Sequence, residues 1–524
     1  MQDSLGIGEN PRPIHLVVLI HGLWGNRSHF DYIRTALEAE FKARQAQKSG
    51  ARNEELVVYT THLSEGYKTY DGIDVCGVRV AGEVETQIRE LGTVTQFSVC
   101  GYSLGGLIAR YALGVLYKNQ VFKKQDIELV NFTTFCTPHV GVYAPGNNIA
   151  VKLFNAIVPL VLGNTGKQMF LKDKGRFTNG TPLILLMSLE NSVFYKALQE
   201  FKNTALYANV INDKRTAWWT AGISRNDPFF EVDEKNGDHR FSYVANYAPT
   251  VIDPSRSIRI TRIEDFNEKV EDTTLRRQKK DNVKVDPRKY FFFTYWSAKL
   301  GRWFAVLFNL LLIAPIWVIW FILSGTMETI KSTTRAAKFM KGYSHHFIDD
   351  VFDVNSEEPE LDDIIVTSSE SPNEYELQLQ QSLNDQTDTF IESIFSAIER
   401  KNTLSAVMDE LDPENVTDTE DNDRVVRTTL KELALHSIEE IEARRSQATG
   451  GTEDLPSLEN LHLDLAPAQV RIIESLNRIA WRKFPVYIRN TVSTHACAIV
   501  RHKDENFEEG KLVVAHWVKE VFKF

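Results

Sequence analysis

Ser103 stands in Gly101-Tyr-Ser103-Leu-Gly105, the part of this chain whose residue types and spacing best suit chemistry. A glycine two places to each side lets the backbone turn sharply between a strand and a helix, leaving the hydroxyl exposed above the sheet. The flanks fit that geometry: Phe97-Ser-Val-Cys100 reads as a buried strand and Leu104 to Leu113 as a helix. Such a serine is a candidate nucleophile for acyl transfer. A Gly-rich turn that only joins strand to helix would show the same bare pattern, and the flanks are what favour the nucleophile.

Acyl transfer also needs donors for the developing oxyanion. The apolar run Ile14 to Ile20 leads at once into His21-Gly22-Leu23-Trp24-Gly25. A turn after a buried strand can present backbone N–H groups, so the amides of Leu23 and Leu104 are the candidate oxyanion donors. Serine is a weak nucleophile at neutral pH and needs a histidine to take its proton and a carboxylate to orient the imidazole. Where these follow in the order serine, acid, histidine, each after a strand, Asp213 fits the second place, at the end of Leu206 to Ile211. Asp227 and Asp233 compete without an equally clear strand before them. His495 fits the third place, a short polar loop after Phe484 to Ile488. His502 is next in line, and His516 lies within a closing helix. His139, in Thr137-Pro-His139-Val-Gly141, precedes the acid and reads as pocket wall.

These residues need a scaffold. Short apolar runs alternate with helical patterns from Ile14 to about Ser224, at Leu56–Tyr59, Phe97–Cys100, Val130–Phe135, Leu183–Met187 and Leu206–Ile211. That alternation predicts an α/β fold with a mostly parallel sheet covered on both faces. Ile149 to Leu162 is apolar but interrupted by Lys152 and Pro159 and too short to span a bilayer; it reads as a lid over an acyl pocket or as one more core helix. Ala468 to Asn477 reads as an amphipathic helix, Phe484 to Ile488 as a strand and Leu512 to Phe522 as a closing helix.

A chain of 524 residues with net charge −10 exceeds one small core and gives no reason to expect nucleic acid. Cys76, Cys100, Cys136 and Cys497 lack metal-site spacing, so reduced core thiols are expected, with no disulfide, metal or cofactor. Met1 to Asn10 has neither a basic start nor an apolar core, so a cleaved secretory signal is not expected.

The expected organisation is a hydrolase core over 14–224, a basic connection over 225–302, a membrane segment over 303–323, a basic then acidic and largely disordered insertion over 324–466, and a return to the core over 467–524. Trp303 to Leu323 carries no charge and has aromatics at both ends, the length and character a bilayer core demands. Lys331, Arg335, Lys338 and Lys341 fall on one helical side and suit anionic headgroups. Asp349 to about Asp388 is acidic and poor in aromatics, the composition of a disordered segment. Helical patches recur at Asp388–Arg400 and Arg427–Arg445.

Together these elements resemble the eukaryotic serine esterase family of α/β-hydrolases that includes fungal lipid-droplet phospholipases and related monoacylglycerol lipases. The resemblance rests on His21-Gly-Leu-Trp-Gly-Asn26, Asp71-Gly-Ile, Gly101-Tyr-Ser-Leu-Gly-Gly106, Thr137-Pro-His-Val-Gly-Val142, Thr165-Gly-Lys-Gln168, Asn212-Asp213 and Ser493-Thr-His495-Ala. It implies hydrolysis of acyl esters of glycerolipids or phospholipids at a membrane or lipid-droplet surface. The expected location is the lipid droplet or endoplasmic reticulum membrane, with the catalytic part facing the cytosol. A lipid acyltransferase shares the first half-reaction, and a silent membrane adaptor would need no activated serine.

One constraint follows from the order of these parts. A single crossing at Trp303–Leu323 would put Ser103 and Asp213 on one side of a bilayer and His495 on the other. The expectation is therefore a hairpin that breaks at Pro315 and returns to the same face.

Overall fold

A computed structural model describes residues 12–47, 54–146, 149–173, 180–211, 213, 215–229, 232, 240–261, 314–342, 425–449 and 461–524. Most of the basic connection, residues 303–313 of the expected membrane segment, the acidic stretch and the patch Asp388–Arg400 lie outside these residues.

The centre is a six-stranded parallel sheet in the order β2-β1-β3-β4-β5-β8. Its strands are β1 (Ile14–Ile20), β2 (Glu55–Thr60), β3 (Val94–Tyr102), β4 (Glu128–Phe135), β5 (Asn203–Asn209) and β8 (Arg482–Val486). The near-continuous apolar run of β1 is explained by burial on both faces. Leu16, Val18 and Ile20 pack into one core with α2 (Ile73–Leu91) and α3 (Leu104–Lys118). Val17 and Leu19 pack into a second with Ile33 and Leu37 of α1 (Asp31–Gln47) and with Val513, Val514 and Trp517 near the C-terminus. The period-two alternation of a strand thus assigns successive side chains to opposite layers.

Pro485 sits inside β8, where it can donate no ladder hydrogen bond. Only an edge strand tolerates that, and β8 ends the sheet order, paired with β5 through Ala205 to Asn209. Its carbonyl still accepts from Ile252 N–H at 3.0 Å, so the far edge is partly covered by the Val251–Ile252 segment.

Leu183–Met187, expected as a strand, instead contains a short helix, Leu183–Leu186, begun by Pro182. A five-residue apolar run has no periodicity of its own. The segment between β5 and β8 also returns to regular structure before Ala468. β6 (Ser257–Thr261) pairs antiparallel with β7 (Val425–Thr429), followed by helices Leu430–Leu435 and Ile438–Thr449; the helical patch read at Arg427–Arg445 overlaps both helices but begins in β7.

The long helix Ala314–Gly342 takes in the C-terminal part of the uncharged run, including Pro315. The expected break at Pro315 stands at the edge of the described residues. Among the described residues no helix is long and apolar enough to cross a membrane.

The fold buries several histidines without acidic partners. Burial holds His15 and His516 down to about 4 and keeps His29 and His139 well below their ordinary value. In the unfolded chain the same rings protonate near pH 6.5, so they do not disfavour folding above that pH but progressively favour unfolding as pH falls from 6.5 toward 4. At pH 5 His15 and His516 each cost up to about 2 kcal/mol. The urea midpoint should accordingly fall between pH 7.5 and pH 5; equal midpoints would contradict this reading of the core.

Candidate active site

The serine sits on a strained turn. Ser103, between β3 and α3, has φ 54° and ψ −128°, a conformation that costs a non-glycine residue on the order of 1–3 kcal/mol. It is pinned by its N–H donating to the Phe135 carbonyl at 2.8 Å. The flanking glycines are required by contact: a Cβ at Gly101 would meet Gly106 Cα at 2.5 Å, and one at Gly105 would collide with the Ile20 carbonyl. That second approach presses the N-terminus of α3 against the end of β1. In the same place Gly22 lies against the serine, so close that a Cβ there would stand 2.7 Å from Ser103 Cβ.

The turn carrying Leu23 is thus beside the nucleophile. It is held by Gly25 N–H to Gly22 O at 3.0 Å, by His21 Nδ1 to the same carbonyl at 3.1 Å and by Trp24 N–H to Thr69 Oγ1 at 3.1 Å. Leu104 opens α3, where a backbone N–H has no acceptor within the helix.

Asp213 follows β5, and His495 follows β8 on the short helix Thr494–Cys497. Neighbouring strands bring them together: His495 Nδ1 donates to Asp213 Oδ2 at 2.8 Å, with both side chains almost fully buried. The carboxylate has further donors. Asn209 Nδ2 and Thr216 Oγ1 each reach Oδ2 at 3.0 Å, while the Arg215 and Thr216 amides reach Oδ1 at 3.1 and 3.0 Å. Burial pushes its pKa up, but His495 and these amides together outweigh burial and hold it down at about 2. The acid is therefore charged at neutral pH.

Tyr102, immediately before the serine, packs its ring 5.0 Å from that of His495 and donates its hydroxyl to the His495 carbonyl at 3.1 Å. The strand that ends in the nucleophile thereby also buttresses the base.

The other candidates stand elsewhere or are otherwise engaged. Asp227 is half-buried, accepts from the Phe229 amide and is pushed up to about 6 by desolvation. Asp233 lies outside the described residues. His502 is exposed and packs tilted against Phe507, His516 pairs with the Tyr207 hydroxyl at 2.8 Å, and His139 pairs with Thr134 Oγ1 at 2.9 Å beside Trp481.

Three supporting residues escaped sequence reasoning. Thr216 had a local signal, since Asp213-x-x-Thr216 is a spacing at which a carboxylate caps the following turn. Tyr102 and Cys136 had none. The donor atoms of Cys136, Asp213 and His495 lie within 4.8 Å of one another, the arrangement a metal would need. The acid and the base already spend theirs on the hydrogen bond between them. As a set, the buried anion, the imidazole it orients and the serine on a strained turn are equipped for acyl transfer.

Residues 10–225 match the family model described as "Putative serine esterase (DUF676)". The chain is 30% identical over 210 residues to "Putative lipase YDL109C" of Saccharomyces cerevisiae, covering 39% of this chain and 30% of that one. It is 28% identical over 242 residues to "Putative lipase ROG1" of the same yeast, covering 45% and 33%. The chain thus spans about a third of the length of these curated relatives. Among solved structures, phospholipase PlaB from Legionella pneumophila in complex with thio-NAD overlaps 40% of this chain and 42% of its own, with 12% identity and a TM-score of 0.26, which carries no weight for function.

Thr216 touches the acid and not the serine, so Thr216→Val should lower kcat on a soluble ester about ten- to a hundredfold, the loss of a hydrogen bond to a buried charge, and leave KM unchanged. An unchanged kcat would remove Thr216 from the machinery.

Proposed function

From the premise that this chain belongs, through residues 10–225, to the serine esterase family, we propose that it is a lipase or phospholipase that cleaves acyl-ester bonds of glycerolipids at a membrane or lipid-droplet surface. The observation that carries the reaction type is the buried Asp213–His495 hydrogen bond beside the serine turn. The lipid substrate is supported by the names of the yeast relatives.

In the proposed reaction Ser103 Oγ attacks the ester carbonyl while its proton passes to His495 Nε2. Asp213, held ionised, stabilises the imidazolium that results and keeps Nδ1 as the donor. Charge gathers on the carbonyl oxygen, where the Leu23 and Leu104 amides receive it. Collapse of the tetrahedral species expels the glycerol oxygen, which takes the proton back from His495. Water then attacks the acyl-enzyme by the same route in reverse roles and releases the fatty acid.

The lipid droplet and the endoplasmic reticulum membrane, approached from the cytosol, are the locations we propose. Any lipid contact made between Asp213 and His495 in the chain must leave both on one side, and the pairing of Arg335 with Asp71 supports entry and exit at a single face.

A fluorophosphonate probe should label the wild-type chain and not Ser103→Ala. Fatty-acid release from a phospholipid, a triacylglycerol and a monoacylglycerol should fall at least about 10⁴-fold in that variant. Unchanged release by Ser103→Ala would overturn the proposal, and the preferred lipid names the substrate class.

A further inference from the structure

Two helices turn apolar residues toward solvent on one side of the protein. Helix Ile149–Val161 buries Asn155, Pro159 and Val161 and exposes Ile149, Leu153, Ile157 and Leu160, a spacing that keeps the four on one stripe. The long helix Ala314–Gly342 does the same with Leu323, Met327 and Ile330. These are not marginal exposures: Ile149 is 78% exposed, Ile330 69% and Met327 61%.

The two helices that carry the stripes are in contact. Gly325 sits so tightly on Val161 that a Cβ there would collide with its side chain, and the Thr329 hydroxyl donates to the Leu160 carbonyl at 3.2 Å. Scattered exposed leucines need no explanation, whereas a contiguous patch marks an interaction surface.

The occupant is indicated by what surrounds the patch. Leu323 ends the uncharged run that begins at Trp303, so the second stripe continues along the chain into sequence suited to hydrocarbon. Lys152, Lys331 and Lys338 are exposed on the same two helices. The one acid between Leu323 and Phe339, Glu328, is engaged by Arg335 at 2.7 Å. Exposed apolar residues with exposed lysines on the same helices match a phospholipid surface that carries negative headgroups.

The long helix is fastened rather than merely adjacent. Arg335 places two donors on Asp71, Nη2 at 2.8 Å and Nε at 3.2 Å from Oδ1, and Arg79 donates to Oδ2 at 2.8 Å. Asp71 is fully buried, so it fixes the helix from within the core. The packing also continues toward the active site: Thr165 Oγ1 donates to the Thr69 carbonyl at 2.5 Å, and Thr69 Oγ1 accepts from Trp24, next to Leu23.

We propose that the exposed stripes of Ile149–Val161 and Leu323–Ile330 are the docking surface by which this chain lies on an anionic phospholipid surface. This deepens the lipid-ester reading and rests on it for the biological sense of docking, but binding is measured without turnover.

The experiment is co-flotation of the full chain with phosphatidylcholine vesicles, with and without phosphatidylserine, for the wild type and for Ile157→Asp/Met327→Asp. Both substituted positions are exposed, and an unchanged thermal midpoint verifies folding; Leu153→Ser/Ile330→Ser replaces the pair if it does not fold. Wild-type binding should rise with phosphatidylserine and drop at least about tenfold in the double variant, as expected for losing two apolar insertions. Undiminished flotation of both variants would overturn the proposal, as would self-association that the substitutions abolish in the absence of vesicles. A wild-type chain that floats and loses binding on substitution but hydrolyses no lipid supports the surface and overturns only the proposed reaction.

Discussion

The hydrogen bond between His495 and Asp213 joins residues 282 apart in sequence, and the rest of the structure is arranged so that it can form. A buried carboxylate without partners is expensive, and its usual escape is to take up a proton. Asp213 avoids that with five donors drawn from one turn, one neighbouring strand and the histidine. Removing the histidine would therefore do more than delete a base: it would leave a buried charge short of the partner nearest to it.

That bond requires β8 to pair beside β5 although the chain between them leaves the sheet for a long excursion. The entropy of closing a long loop grows only logarithmically with its length, so the excursion is tolerable once its ends are tied. Their ties include the β6–β7 pairing, Arg335 on Asp71 and Asn226 Nδ2 on the Leu433 and His436 carbonyls. The same ties bear on topology. Residues before and after the uncharged run touch one another, Asp71 with Arg335 and Asp213 with His495, and a single crossing by that run would separate them.

Much of this was legible in sequence where the signal was local. The nucleophile turn could be read because its glycines are demanded by contacts within a few residues, Gly101 on Gly106 and Gly105 on the end of β1. Asp213 and His495 could be ranked because each follows a strand, though only the sheet order shows why those strands are neighbours. Leu183–Met187 was misread as a strand because five apolar residues fit either period. Tyr102 and Cys136 were invisible because their roles arise from packing across the sheet. The apolar stripe on Ile149–Val161 could not be told from a core face, since the sequence does not say which neighbour, if any, covers it.

The most direct test of this account is whether the acid and the base act as one device. Measuring kcat/KM on one soluble ester for Asp213→Ala, His495→Ala and the double variant answers it. The account predicts that the double variant is no worse than His495→Ala, because the carboxylate acts only through the imidazole. Losses that multiply would show that the two residues work independently and would contradict the central pairing.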